Sequence, residues 1–124
     1  MKKFYLNYAD ANFDKQKKFA LRAAKLFGGF DKIIGLSPND IDDEFFNRFK
    51  NILEQKRGGG YWLWKPYVIN KTLSKLAIGD YLFYSDAGAF FLKNVDILIN
   101  ELDKSNQDIM GFELPLIEEQ WTKK

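Results

Sequence analysis

This sequence predicts an α/β domain with a mainly parallel sheet flanked by helices. Three observations carry that expectation. Short apolar and aromatic runs alternate with stretches of helical periodicity, the order that produces parallel crossovers. Gly and Pro clusters separate the runs at intervals that suit turns. The 124 residues fit a single domain, residues 1–124, and 46% hydrophobic residues, twelve Phe among them, are enough to fill one core.

The first element is a strand centred on Phe4-Tyr5-Leu6, an apolar and aromatic run suited to burial. From Asp14 to Phe27 the apolar positions Phe19, Ala20, Ala23, Ala24 and Phe27 recur at helical spacing, while Lys15, Lys17, Lys18, Arg22 and Lys25 fall largely outside that stripe. Gly28-Gly29 ends this helix. Its lysines read as a solvated face rather than a nucleic-acid patch. Lys32 to Leu36 makes a second strand, stopped by Ser37-Pro38-Asn39-Asp40. Strand, helix and strand in this order imply a right-handed parallel crossover. Asp42 or Asp43 caps the next helix, whose buried stripe is Phe45, Phe46, Phe49, Ile52 and Leu53. A helix opening at Pro66 follows, since proline suits the first helical position, and then a strand from Tyr81 to Tyr84. Phe90-Phe91-Leu92 reads as a short strand or turn, and Val95 to Leu102 as a helix with Leu98, Ile99 and Leu102 turned inward. Asp108 to Leu114 is a last strand, closed by Pro115.

Chemistry concentrates in residues 57 to 88, RGGGYWLWKPYVINKTLSKLAIGDYLFYSDAG. Gly58, Gly59 and Gly60 permit positive φ and a close approach to a ligand. Neither familiar nucleotide motif is present. Walker A needs Gly-Lys-Ser/Thr, and here Lys65 lies five residues beyond Gly60 and precedes Pro66; the dinucleotide fingerprint needs a third glycine two residues beyond the pair and a strand just before it. Arg57 and Lys65 flank flexible backbone N–H donors, which suits a diphosphate as well as it suits plain solvent exposure. Tyr61, Trp62 and Trp64 can stack on a base or sugar ring, with core filling the structural alternative for each. Ser85-Asp86-Ala87-Gly88 falls at the carboxyl end of a strand, where open α/β sheets bind ligands. A carboxylate without a partner is costly to bury there, so Asp86 reads as functional, with a turn cap as its alternative. If the first strand runs parallel, Asn7 to Asp10 share that rim, and Asn7 and Tyr8 become candidates for contacting a base.

Composition narrows the chemistry. Nineteen Lys and Arg against seventeen Asp and Glu leave +2, too little to favour nucleic acid as a partner. The chain has no Cys and no His, which removes disulfides, thiolate and imidazole metal sites, and nucleophile systems built on His. MKKFYLNYAD lacks the apolar length of a signal peptide, and no run reaches the roughly 18 apolar residues of a membrane span. A soluble cytoplasmic protein without a transmembrane segment is the expectation.

RGGGYWLWKPYVI followed by GDYLFYSDAG resembles bacterial glycosyltransferases of the GT-A fold, nucleotide-sugar-dependent enzymes of surface-polysaccharide assembly. LRAAKLFGGFDKII and MGFELPLIEEQWTKK are also similar to that group, so the resemblance covers most of the chain. It implies a rim that holds a nucleoside diphosphate sugar, expected to be a UDP-sugar, through Asn7, Tyr8, Arg57, Gly59, Gly60, Trp64, Lys65, Ser85, Asp86, Ala87 and Gly88. Asp86 matches the first residue of the Asp-x-Asp motif that contacts ribose and a divalent cation. Gly88 stands where the second Asp would be, so Mg²⁺ or Mn²⁺ would be held by Asp86, phosphate oxygens and water. The sugar would pass to a glycan acceptor. No catalytic base is assigned; Glu113, Glu118 and Glu119 are available and read equally as surface acids. Because GT-A enzymes continue into an acceptor-binding half, the chain is expected to be an incomplete, donor-binding part. The other reading is a non-catalytic nucleotide-sugar-binding module that works with a partner chain or as an oligomer.

Overall fold

The computed structural model describes residues 1–112. Strands β1 (Lys3–Tyr8), β2 (Lys32–Leu36) and β3 (Tyr81–Tyr84) form a parallel sheet in the order β2-β1-β3. The first strand in sequence is therefore the central one. Its alternating side chains address two faces. Leu6 and Tyr8 meet Trp64 and Val68 of helix α5 (Trp64–Leu73), with Ile34, Leu36, Leu82 and Tyr84 packed around them. On the other face Tyr5 packs against Phe30, Phe83 and Phe91, with ring centroids 5.4, 6.3 and 5.6 Å away.

Helix α1 (Asp14–Ala23) covers this second face, continuing into a π-helical turn at Ala24–Gly28 that ends on Gly29 at φ 72°. Gly35, level with Asn7 in the register, lies against α1: a Cβ there would stand 2.7 Å from Leu21 Cδ1, so the Leu21 side chain would have to move. Close approach is made by small residues, with Ala20, Ala23 and Ala24 buried. This corrects the expected stripe, because Phe19 and Phe27 are 57% and 53% exposed. Between helix and sheet there is space for methyl groups and not for their rings; Phe19 instead meets Phe90 edge-on at 5.1 Å.

The expected Phe-rich helix is broken in two, α2 (Asp43–Arg48) and α3 (Lys50–Leu53), by Phe49 at φ −116°, ψ 23°. Its rings are only half-buried and Ile52 is exposed. Asp42 occupies the cap position but turns its carboxylate away from α2, accepting from Tyr67 Oη at 2.6 Å and Lys71 Nζ at 3.0 Å. Phe45 stacks on the same Tyr67, centroids 4.0 Å apart. Helix α5 opens at Trp64, two residues before the expected Pro66, which still lies in the first turn where its missing N–H costs no hydrogen bond.

Residues Phe90 to Leu92 are irregular, and α6 (Asp96–Ser105) follows the buried Val95, with Leu98, Ile99 and Leu102 half-buried. Asp108 to Phe112 form no strand, contrary to expectation, and Glu113 and Leu114 lie outside the described residues. Among the described residues β3 pairs with β1 alone, and a cavity of about 520 Å³ runs along its other side, bounded by Phe4, Leu73, Leu82 and the apolar face of α6. No described helix is long and apolar enough to cross a membrane.

Candidate functional site at the carboxyl rim

The order β2-β1-β3 sends the chain from the central strand first to one side and then to the other, so a topological switch point lies between β1 and β3 at their carboxyl ends. Leu6 is level with Tyr84, and Ser85 N donates to Leu6 O at 3.3 Å. Tyr8, Asp10 and Asp86 thus share one rim, as the parallel crossover predicts. From α5, Lys65 Nζ reaches Asp86 Oδ1 at 3.1 Å, and Tyr84 Oη donates to the same oxygen at 2.9 Å. Burial, and then the Asp86 carboxylate, pushes the Tyr84 phenol well above its ordinary range, so it stays protonated and donates. Burial, with Asp10 and Asp40, does the same to Tyr8.

The glycine stretch borders this rim. A Cβ on Gly59 would stand 3.6 Å from Asp10 Oδ2, and Trp64 Nε1 donates to Gly58 O at 2.8 Å. Its conformation is unusual. Gly58, Gly59, Gly60, Tyr61 and Trp62 all have positive φ (61°, 59°, 101°, 53° and 58°), so α4 (Gly58–Tyr61) is a left-handed turn. L-residues avoid that hand at a cost of roughly 1–2 kcal/mol each, which glycine escapes and Tyr61 and Trp62 do not. Hydrogen bonds close the turn on itself, from Gly59 N to Lys56 O, Gly60 N and Tyr61 N to Arg57 O, Trp62 N to Gly58 O, and Leu63 N to Gly60 O. These N–H groups are engaged within the turn and do not point outward as a phosphate cradle. Positive charge at the rim comes instead from Lys65.

The sequence-derived residues fall into four environments. Lys65 and Asp86 meet at the rim, and Gly59 borders it at Asp10; Ala87 and Gly88 follow, and a Cβ on Gly88 would touch nothing within 4 Å. Tyr8 and Trp64 stack on each other, centroids 4.0 Å apart and planes 19° from parallel, and Trp64 is 8% exposed. Asn7 is wholly buried beneath the rim: its Nδ2 donates to Tyr5 Oη at 3.0 Å, and Tyr5 Oη is 2.8 Å from Ser85 Oγ. Asn7 Oδ1 is buried with no partner among the described residues. Arg57 and Gly60 have other neighbours. The Arg57 guanidinium lies 5.9 Å from the Trp62 ring, and Gly60 is buried against the backbone of Leu53. Sequence reasoning passed over Tyr84 and Tyr5, whose hydroxyls organise Asp86 and Ser85; they looked like ordinary strand aromatics. Glu113, Glu118 and Glu119 lie outside the described residues.

Among the described residues no three acidic side chains converge as a metal site. Asp86, the one carboxylate expected to meet a cation, is paired with Lys65. No protein-family model, no curated protein and no solved structure matches this chain.

Proposed function

We propose that the rim between β1 and β3 binds the donor of a nucleotide-sugar-dependent glycosyltransferase, with this chain as the GT-A-like donor-binding part. The observation that carries this reading is the meeting of Lys65, Asp86 and Tyr84 beside the glycine turn at the switch point of a parallel sheet. Transfer breaks the bond between the anomeric carbon and the diphosphate and forms one to an acceptor oxygen, whose proton leaves to a base. The leaving diphosphate gains negative charge, and Lys65 is the rim cation placed to stabilise it. Asp86 accepts hydrogen bonds from ribose hydroxyls, while Tyr84 fixes the carboxylate's orientation. The stacked Tyr8–Trp64 pair supports the floor rather than clasping the base.

Calorimetric titration with UDP and UDP-sugars tests this, with and without Mn²⁺. Saturable binding is expected in the absence of metal, weakened about tenfold or more in Asp86→Asn and in Lys65→Met through loss of a charge-assisted contact. Affinity unchanged in both variants would remove the rim from the donor site. Donor binding with no sugar transfer to added glycans would identify a binding module that needs a partner chain.

A further inference from the structure

Helix α1 buries Ala20, Ala23 and Ala24 and leaves its opposite side in solvent. Lys15, Phe19, Arg22 and Leu26 recur there at intervals of four, three and four residues, which sets them in one stripe, and all four are exposed. Leu26 is 65% exposed, more than Phe19. Phe90 widens the stripe through its edge-on contact with Phe19. The chain then runs beside the π-helical turn, where Asn94 lies against Gly29 and Val95 N donates to Gly28 O at 2.9 Å. Leu92, 74% exposed, and Lys93 stand on that segment. Charge gathers in the same place. Residues 14–27 hold five Lys and Arg and one Asp, a net +4, while the whole chain carries +2, so everything outside this stretch is net −2. The one acid, Asp14, is occupied by Lys18 at 2.7 Å. Among the described residues Lys15, Arg22 and Lys25 have no ion-pair partner.

We propose that the outer face of α1, with Phe19, Leu26 and Phe90 set among Lys15 and Arg22, docks on an anionic lipid bilayer, the helix lying in the plane of the surface. This does not rest on the donor reading. Apolar side chains on such a face enter the headgroup boundary, while Lys and Arg keep their stems along the apolar layer and their charges at the phosphates. The sign of the charge selects the anionic lipid, because the face is positive on a chain that is otherwise negative. A nucleic acid would satisfy the cations and leave Leu26 in water. A protein groove that wraps a helix cannot close round one whose other side is packed on its own sheet; a bilayer needs only the outer stripe.

Co-sedimentation of the full chain with vesicles tests this, using phosphatidylcholine alone and phosphatidylcholine mixed with phosphatidylglycerol in equal parts. Binding to the mixed vesicles is expected, at least about tenfold tighter than to phosphatidylcholine alone and weakened by raised salt. Arg22→Glu and Leu26→Ser should each weaken it at least about tenfold, the first through charge and the second through lost apolar contact. Lys75→Glu makes the same change in net charge beyond the end of α5, on the other face of the sheet, and should stay within about threefold of the wild type. Circular dichroism checks the fold, and Lys15→Glu or Phe90→Ser repeats whichever arm lacks a folded variant. No binding to the mixed vesicles overturns the proposal, whether or not a DNA duplex or a polyglutamate peptide binds the same face. Equal loss in Lys75→Glu and Arg22→Glu overturns it too, since net charge and no particular face would then hold the vesicle. So does full binding by Leu26→Ser and Phe90→Ser, which would leave the apolar stripe outside the bilayer.

Discussion

At Gly60 the backbone passes close to that of Leu53. With φ at 101° and a Cβ that would fall 2.6 Å from Leu53 Cα and 3.0 Å from Leu53 O, this position meets main chain, which cannot swing aside as a flexible side chain does. Gly60→Ala is expected to destabilise by about 2 kcal/mol or more, read as a lower urea midpoint. Gly88→Ala has open space and should stay within about 0.5 kcal/mol of the wild type. Asn7 poses a different problem. A carboxylate of the same shape would be sealed in the sheet without a cation, so Asn7→Asp should cost several kcal/mol at neutral pH by the same measurement. Asp86 is the opposite case, exposed and joined to Lys65 by a surface pair worth about 0–1 kcal/mol. Asp86→Ala should therefore leave the melting temperature nearly unchanged, which makes it a clean probe of ligand binding.

Among the elements, the clasp of Asp42 with Tyr67 and Lys71 ties the chain before α2 to helix α5, and Lys71 also donates to Asp40 O at 3.2 Å. Tyr67 and then Lys71 hold the Asp42 carboxyl below its usual range. A depressed folded value means stability that is present above the unfolded pKa of about 3.9 and lost as pH falls through the folded value. Urea midpoints between pH 5 and pH 2 should therefore fall more steeply in the wild type than in Asp42→Asn. The same elements show how far sequence carries. The three strands were legible because apolar runs bounded by Gly, Pro and Asp leave few other options. The end of α1 was legible because Gly28-Gly29 is a strong stop signal. Exposure of Phe19 was not, since periodicity names a face and says nothing of how near the sheet lies to it. The left-handed turn was half-legible: three glycines announce positive φ, but nothing in Tyr61 or Trp62 signals that they share it.

For the whole molecule, the register of β1 with both neighbours makes it the most protected strand, hydrogen-bonded on both sides and buried from Tyr5 to Tyr8. Its amides should exchange with deuterium most slowly, ahead of those in β2 and β3, when followed residue by residue by NMR. Placement of the rim was readable from sequence, because parallel crossovers bring strand ends to one side whatever the details. The division of labour within it was not, because stacking of Tyr8 on Trp64 and pairing of Lys65 with Asp86 depend on helix–sheet contacts far apart in the chain. The sheet order also sets a timetable. Phe4 finds its partner Lys32 after 28 positions, but Lys3 waits 78 for Tyr81. At ribosomal rates of about 5–20 residues per second, a nascent chain holds β1 with one side unpaired for roughly 2–10 seconds between completion of β2 and arrival of β3. Tyr8 and Asp86 come together only when β3 docks, so a rim that needs both strand ends exists only in a chain whose sheet is assembled.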